Sequence, residues 1–393
     1  MSVRTTSDLD QILARLAAGA LGWAQTPLTE RADLLDQVAD LTAEHAEEWV
    51  RVATQIKQLE ANSPLVGEEW LSGPYAVISS CRTLAETVRH IAAGQDVLQG
   101  YGVRPTRDGG QAVRVLPHTA YDRILFSGFT ADVLTRPGVT AEQLRATAGL
   151  GERTPTRSQG VAAVLGAGNI FSIAPLDVLY QLYADNRTAI LKLNPVTDPL
   201  LPVFRAVFAP LVDRDLVEIV TGGADVGERI VQDPGVASVH MTGSEATHDA
   251  IVWGVGAEAV AARAANAPRL DKPITSELGG VSPVIIVPGP WSPADLRFQA
   301  EHVATQRLQN NGSNCIAAQV VIVSADWDLK GAFLAELSRA VAGAPPRPDW
   351  YPGTAARVQQ ARDQHRDEVD LGPDGARVVL PSVDLADDAE PAL

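Results

Sequence analysis

Apolar residues recur at helical spacing through the first part of the chain. Leu9, Ile12, Leu13 and Leu16 form a stripe that predicts a helix capped by Asp8 and running through Ala18. Thr29 and Glu30 open a longer helical run to about Leu59, with Leu34, Leu35, Val38, Leu41 and Trp49 on one face. Gly73-Pro74 begins a third, through about Ala92, with Cys81 inside it as a packing residue. From Gly102 to Val139 the pattern is mixed, and Val113–Leu116 and Ile124–Phe126 read as strands of an extended arm suited to oligomerisation. Gly149 to Gly160 is a polar linker containing proline.

Between Gly160 and Val287, short β-branched runs alternate with helix-length segments, which predicts a parallel α/β sheet. The strands are Val161–Leu165, Thr188–Leu193, Leu216–Val220 and Val236–Met241. The helices between and after them are Ser172–Ala184, Asp198–Phe208, Ala224–Val231 and Ser244–Trp253. A helix over Pro293–Leu308 then leads to a polar loop, a buried strand over Ala318–Val323 and a helix over Trp327–Val341. The tail after Gly343 is rich in Pro, Asp, Arg and Gly and ends in the acidic stretch Asp384–Leu393.

Composition narrows the partners. A chain of 393 residues is long enough for two domains, and a formal charge of −16 with no basic run argues against nucleic acid and anionic membranes. Two cysteines, Cys81 and Cys315, are too few for a disulfide framework and point to a reducing, cytoplasmic setting. No signal-peptide profile opens the chain, and no apolar stretch reaches the roughly 20 residues of a membrane span.

Candidate chemistry collects at the turns after the strands, where an open α/β sheet binds its ligands. Gly166-Ala167-Gly168-Asn169 is either a close approach to a ligand or a tight turn with a left-handed asparagine. Lys192 either binds a ribose or phosphate or snorkels from the strand end. Thr242-Gly243-Ser244 at a helix start can seat an anion, cap the helix, or both. Glu277 before Leu278-Gly279-Gly280 is a general base or a solvated carboxylate. Cys315, in Gln309-Asn310-Asn311-Gly312-Ser313-Asn314-Cys315, is a nucleophile or a small buried hydrophobe. No metal site is expected.

Taken in order, Gly168-Asn169, Lys192, Thr242-Gly243-Ser244, Glu277-Leu278-Gly279-Gly280 with Ser282-Pro283, and Gly312 three residues before Cys315 resemble the NAD(P)-dependent aldehyde dehydrogenase superfamily. The resemblance covers about Gly160 to Val323. It implies an aldehyde-dehydrogenase-like α/β fold, with N-terminal helices and a Rossmann-type parallel sheet domain over 1–275 and an incomplete α/β catalytic domain over 276–393. It also implies oxidation of an aldehyde to a carboxylic acid with NAD or NADP. In that chemistry the Cys315 thiolate attacks the carbonyl, and the Asn169 amide and the Cys315 N–H hold the oxyanion. Glu277 then activates the water that hydrolyses the thioester. Lys192 would contact the adenosine ribose and Ser244 the pyrophosphate, with Gly168, Gly243 and Gly279 lining the cofactor.

The departures from the family pattern carry expectations of their own. Pro195 stands where NAD-preferring members have a glutamate, so NADP is accommodated. The Ser244–Glu277 interval is long, and Asn314 precedes the cysteine. The family's Glu-x-Phe motif is not found between Cys315 and Leu393, so a truncated chain lacking the oligomerisation segment is expected. An acyl-CoA or acyl-phosphate reductase, which Glu277 opposes, and an inactive nucleotide-binding fragment are the alternatives.

Overall fold

The computed structural model of the chain describes residues 6–149, 160–364, 370–371 and 378–379. It forms two compact units. One comprises Met1–Trp49, Leu71–Thr242 and His248–Ser276; the other comprises Val50–Trp70, Gly243–Thr247 and Glu277–Leu393. Most of the 149–160 linker, and the acidic stretch Asp384–Leu393, lie outside the described residues.

Helix α1 (Thr6–Gln25) buries Leu9, Ile12, Leu13 and Leu16 as their spacing requires. It begins before Asp8, which sits in its first turn rather than capping it, and continues past Ala18. Two glycines would normally weaken that extension by about 1 kcal/mol each. Packing overrides this: a Cβ on Gly19 would lie 2.1 Å from the Asp215 carbonyl oxygen, so only glycine allows the approach. One turn on, the Trp23 indole N–H donates to the Leu182 carbonyl at 3.0 Å, and the Arg31 guanidinium lies 4.0 Å over the Trp23 ring.

The second helical run is interrupted at His45, giving α2 (Leu28–Glu44) and α3 (Ala46–Ile56), followed by the short α4 (Val66–Trp70). Helix α5 (Ala76–Ala92) packs against α2 through Val77, Cys81, Ala85 and Val88, and Cys81 is fully buried there. The arm is a three-stranded antiparallel sheet of β1 (Gly102–Pro105), β2 (Gln111–Leu116) and β3 (Ala131–Leu134). The strand expected at Ile124–Phe126 is instead part of helix α6 (Ala120–Leu125). Thr119 and Asp122 close a reciprocal capping box at its start, a local signal that outweighs the β propensity of the apolar run. A second such box, Thr140 with Gln143, starts α7 (Ala141–Thr147).

The large sheet contains β4 (Val161–Leu165), β5 (Thr188–Lys192), β6 (Val217–Val220), β7 (Val236–Gly243) and β8 (Ile274–Leu278), in the order β6-β5-β4-β7-β8. The β4–β5, β5–β6 and β4–β7 pairs are parallel. Strands β4, β5 and β6 are almost wholly buried, hence their predominance of Val, Ile, Leu and Ala, broken by Thr188 and Lys192 at the ends of β5 and by Glu218 in β6. The apolar stripe of α1 packs with Val161, Ala163, Ile190, Val236 and Val239 in one core cluster. Between the strands run α8 (Ile173–Tyr183), α9 (Leu201–Val207), α10 (Ala209–Val212), α11 (Ala224–Gln232), α12 (Glu245–Trp253) and α13 (Gly256–Ala264).

In the second unit, β9 (Val284–Ile286) and β10 (Val321–Val323) pair in parallel, and α14 (Pro293–Leu308) packs against α15 (Lys330–Ala342). Their core joins Ile286, Leu296, Ala300 and Val303 to Trp327, Phe333 and Leu337. The strand after the cysteine is shorter than expected and only partly buried. Ala317 and Ala318 are buried, but the Ala318 N–H donates to the Gln306 carbonyl at 3.3 Å rather than to a neighbouring strand. Among the described residues no helix is long and apolar enough to cross a membrane, and no His/Cys/Asp/Glu group could hold a metal.

Candidate active site

The sheet order reverses around β4: β5 and β6 lie to one side of it and β7 to the other. The carboxyl ends of β4 and β7 therefore flank the switch point at which open α/β sheets bind ligands. From β4 the chain turns through Gly166–Asn169. The Gly166 N–H donates to the Lys192 carbonyl at 3.0 Å, and a Cβ on Gly168 would lie 2.6 Å from the Asn194 side chain. Close packing between the turns after β4 and β5 thus already favours glycine at Gly168. Asn169 is half-buried at the end of this turn.

Lys192 does not snorkel. It is buried, and burial holds its ammonium below the ordinary lysine range, an effect opposed by the nearby carboxylates of Asp198 and Asp225. Burial in turn pushes Asp198 up, with Lys192 opposing. Pro195 starts a 3-10 turn whose cap is Asn194, its side-chain oxygen accepting from the Val196 N–H at 3.1 Å.

At the end of β7 the Thr242 hydroxyl donates to Asp177 on α8 at 3.0 Å. The other Asp177 oxygen lies 3.3 Å from His240 Nε2, close enough for attraction but not aligned as a hydrogen bond. His240 Nδ1 meets the Thr275 hydroxyl at 2.8 Å. Sequence reading missed this group, although one carboxylate in the otherwise apolar run Ile173–Leu179 was a visible signal. Ser244 accepts from the Thr247 N–H at 3.2 Å, so it caps the start of α12.

Cys315 follows a loop that leaves α14 with three consecutive residues in the left-handed region: Asn310 (φ 54°), Asn311 (φ 52°) and Gly312 (φ 69°). Asparagine and glycine are the residues that adopt this conformation most readily, which explains the polar run. The half-buried Cys315 thiol lies 3.7 Å from the Asn314 side-chain oxygen, to which it donates. That oxygen also accepts from the Ile316 N–H at 3.1 Å, while the Asn314 amide donates to Gln309 at 2.7 Å. Among the described residues no hydrogen bond occupies the Cys315 backbone N–H. Cys81 contrasts with it: burial pushes its thiol up to about 12.

Glu277 lies at an exposed position of β8, rather than among apolar neighbours as its flanking sequence implies. The alternation along Ile274–Leu278 puts Glu277 and Thr275 on the open face. The turn after it is tied to the cysteine segment. Gln319 donates from its side chain to the Gly280 carbonyl at 2.5 Å and from its backbone to the Val281 carbonyl at 3.2 Å. A Cβ on Gly280 would sit 3.9 Å from the Cys315 carbonyl oxygen, whereas one on Gly279 would meet nothing within 4 Å.

Comparison with known proteins matches this arrangement to one family. The sequence profile of the aldehyde dehydrogenase family matches residues 142–389. Succinate-semialdehyde dehydrogenase [NADP(+)] 1 of Mycobacterium bovis is 35% identical over 151 residues, 38% of this chain and 30% of that protein. Succinate-semialdehyde dehydrogenase [NADP(+)] of Mycobacterium leprae is 34% identical over 154 residues, 39% and 30% of the two chains. The matched segment thus spans less than a third of the length of these relatives. Among solved structures, gamma-glutamyl-gamma-aminobutyraldehyde dehydrogenase from Burkholderia cenocepacia superposes with a TM-score of 0.61 at 20% identity, over 95% of this chain and 64% of that one. Proline utilization A from Bradyrhizobium japonicum gives 0.60 at 18% identity, over 95% and 33%. These likenesses support the fold, and the profile match over more than half of its residues places this chain in the aldehyde dehydrogenase family.

Proposed function

We propose that the chain oxidises an aldehyde to a carboxylic acid with NAD(P)+, through a covalent intermediate on Cys315. The observation that carries this reading is the arrangement within the second unit. Gln319 holds the turn that follows Glu277, and that turn's Gly280 lies near the Cys315 carbonyl. A thiol whose segment is bonded by one side chain to the turn that follows a strand-borne carboxylate suits a reaction that forms an ester and then hydrolyses it.

The Cys315 sulfur adds to the aldehyde carbon, giving a thiohemiacetal whose oxyanion is assigned to the Cys315 N–H and the Asn169 amide. A nicotinamide held beside Cys315 would supply the acceptor for the hydride that leaves this carbon. Glu277 takes a proton from water as the water attacks the resulting thioester, releasing the acid and restoring the thiol. The residues fit a dinucleotide: the sheet order reverses at β4, a buried lysine lies at the end of β5, and Gly279 faces open space. Lys192 is assigned to the adenosine ribose, Ser244 to the pyrophosphate, and Gly168, Gly243 and Gly279 to close approach. The dinucleotide role goes to 1–275 and the covalent chemistry to 276–393.

NADP and a semialdehyde substrate are the first choices, because the matched mycobacterial proteins are named as NADP(+) succinate-semialdehyde dehydrogenases and Pro195 brings no carboxylate to its position. Exposed Tyr121, Ile124, Val133 and Leu134 support the arm as a self-association surface, and two free cysteines fit a reducing compartment. The test is reduced-nucleotide formation from succinic semialdehyde and a panel of aliphatic and aromatic aldehydes, with NAD+ and NADP+ in turn. Formation of one acid per reduced nucleotide supports the reading; coenzyme A-dependent turnover without free acid would transfer it to the acyl-CoA reductases.

A further inference from the structure

We infer that Glu68 is a positioning residue that holds the Cys315 loop in its reactive conformation; its catalytic meaning rests on the function proposed above. The Glu68 carboxylate accepts from the Asn310 backbone N–H at 2.8 Å through one oxygen, and from Arg347 Nη1 at 2.8 Å through the other. The two residues after Arg347 close a ring. The Asn311 side chain donates to the Pro348 carbonyl at 2.8 Å and to the Asp349 carboxylate at 3.1 Å. Glu68 therefore grips the first residue of the left-handed run, and the segment it anchors through Arg347 grips the second.

This run requires external support. Asparagine enters the left-handed region as a single residue, but here Asn310 and Asn311 occupy it in succession, and such backbone persists where its surroundings over-determine it. Asn310 is buried, and its own amide spans the bend by donating to the Ser313 carbonyl at 2.8 Å, two residues before the thiol. The platform under Glu68 is fixed as well. On the same short helix, Glu69 forms a buried 2.7 Å ion pair with Lys57, whose ammonium lies 5.0 Å from the Trp350 ring centroid. Nothing near Glu68 in sequence signals this role, since Asn310 is 242 positions away.

Alkylation of Cys315 by iodoacetamide, followed by peptide mass across pH, tests the inference without a substrate. Cys81 serves as an internal control, because burial keeps its thiol protonated. Glu68→Ala is expected to change the Cys315 alkylation rate by about fivefold or more and to displace its pH profile, while Cys81 stays protected. Glu68→Gln, which keeps an acceptor for the Asn310 N–H, should restore most of the parent behaviour. Arg347→Met, which frees the other end of the ring, should fall between them. An unchanged Cys315 rate and pH profile in Glu68→Ala would overturn the inference, whatever happens to the melting temperature. So would a change accompanied by Cys81 exposure, which would mark Glu68 as general support. If Glu68→Ala does not fold, an Arg347→Met variant with the parent's Cys315 rate and pH profile overturns it equally. Parent protein that forms no reduced nucleotide would instead count against the proposed function and leave the alkylation result standing.

Discussion

Gln319 is bonded to the turn at Gly280 twice over, its side chain to the Gly280 carbonyl at 2.5 Å and its backbone N–H to the Val281 carbonyl at 3.2 Å. The turn that follows Glu277 on β8 is thereby held to the segment that follows Cys315. Removing the side-chain bond should disturb the hydrolytic half of the reaction more than the covalent half. Gln319→Ala is expected to keep a burst of about one reduced nucleotide per Cys315 and to lose roughly tenfold in the steady state that follows. Stopped-flow absorbance reads both phases. A burst lost in parallel with the steady state would contradict the division of labour.

The Lys57–Glu69 pair is buried on both sides, with side-chain exposures of 3% and 4%. Burial pushes Lys57 down and Glu69 up, and the mutual attraction offsets part of each shift. Replacing one partner leaves the other as an uncompensated buried charge. Lys57→Met should therefore cost about 3–5 kcal/mol in a urea unfolding series. The paired replacement Lys57→Met with Glu69→Leu should recover most of that loss. A single variant as stable as the parent would show that the pair is not load-carrying in the fold.

On the arm, Arg114 meets Asp132 across the β2–β3 ladder in a two-point pair of 2.6 and 3.2 Å, and Arg104 adds a contact at 2.8 Å. The hydrogen bonds from Arg114 and then Arg104 lower the Asp132 carboxyl to about 2. Its unfolded value is near 3.9, so the folded arm binds fewer protons in that window. The contribution is present above about pH 4 and is lost as pH falls through about 2. Carboxyl NMR titration should place the Asp132 midpoint there, and Arg114→Met should raise it. A parent midpoint in the ordinary carboxylate range would contradict the pairing.

Much of this architecture is legible in the sequence where local signals agree. Strand β4 and helix α14 fall at the expected residues because each carries its own punctuation. For α14 that punctuation is Ser292 as cap, Pro293 at the first position and Asp295 closing the box. Local reading fails where a distant partner decides. Helix α1 passes Ala18 because Gly19 admits the Asp215 carbonyl, a contact no periodicity reveals. Lys192 is buried because of the sheet around it, and Glu277 is exposed despite apolar neighbours in sequence. For the chemistry, the residues around Cys315 and Glu277 marked them as candidates, and the resemblance to the family supplied their expected roles. Neither could find Gln319 or Glu68, whose roles exist only after folding.

In the proposed reaction the Cys315 sulfur carries the substrate. The most direct measurement is reduced-nucleotide formation by the parent and by Cys315→Ala with succinic semialdehyde, joined to the mass of the Cys315 peptide after quenching in turnover. A loss of at least about 10³-fold in the variant and an acyl adduct on the parent peptide are expected. Equal nucleotide reduction by both proteins, with an unmodified Cys315 peptide, would contradict the proposed reaction.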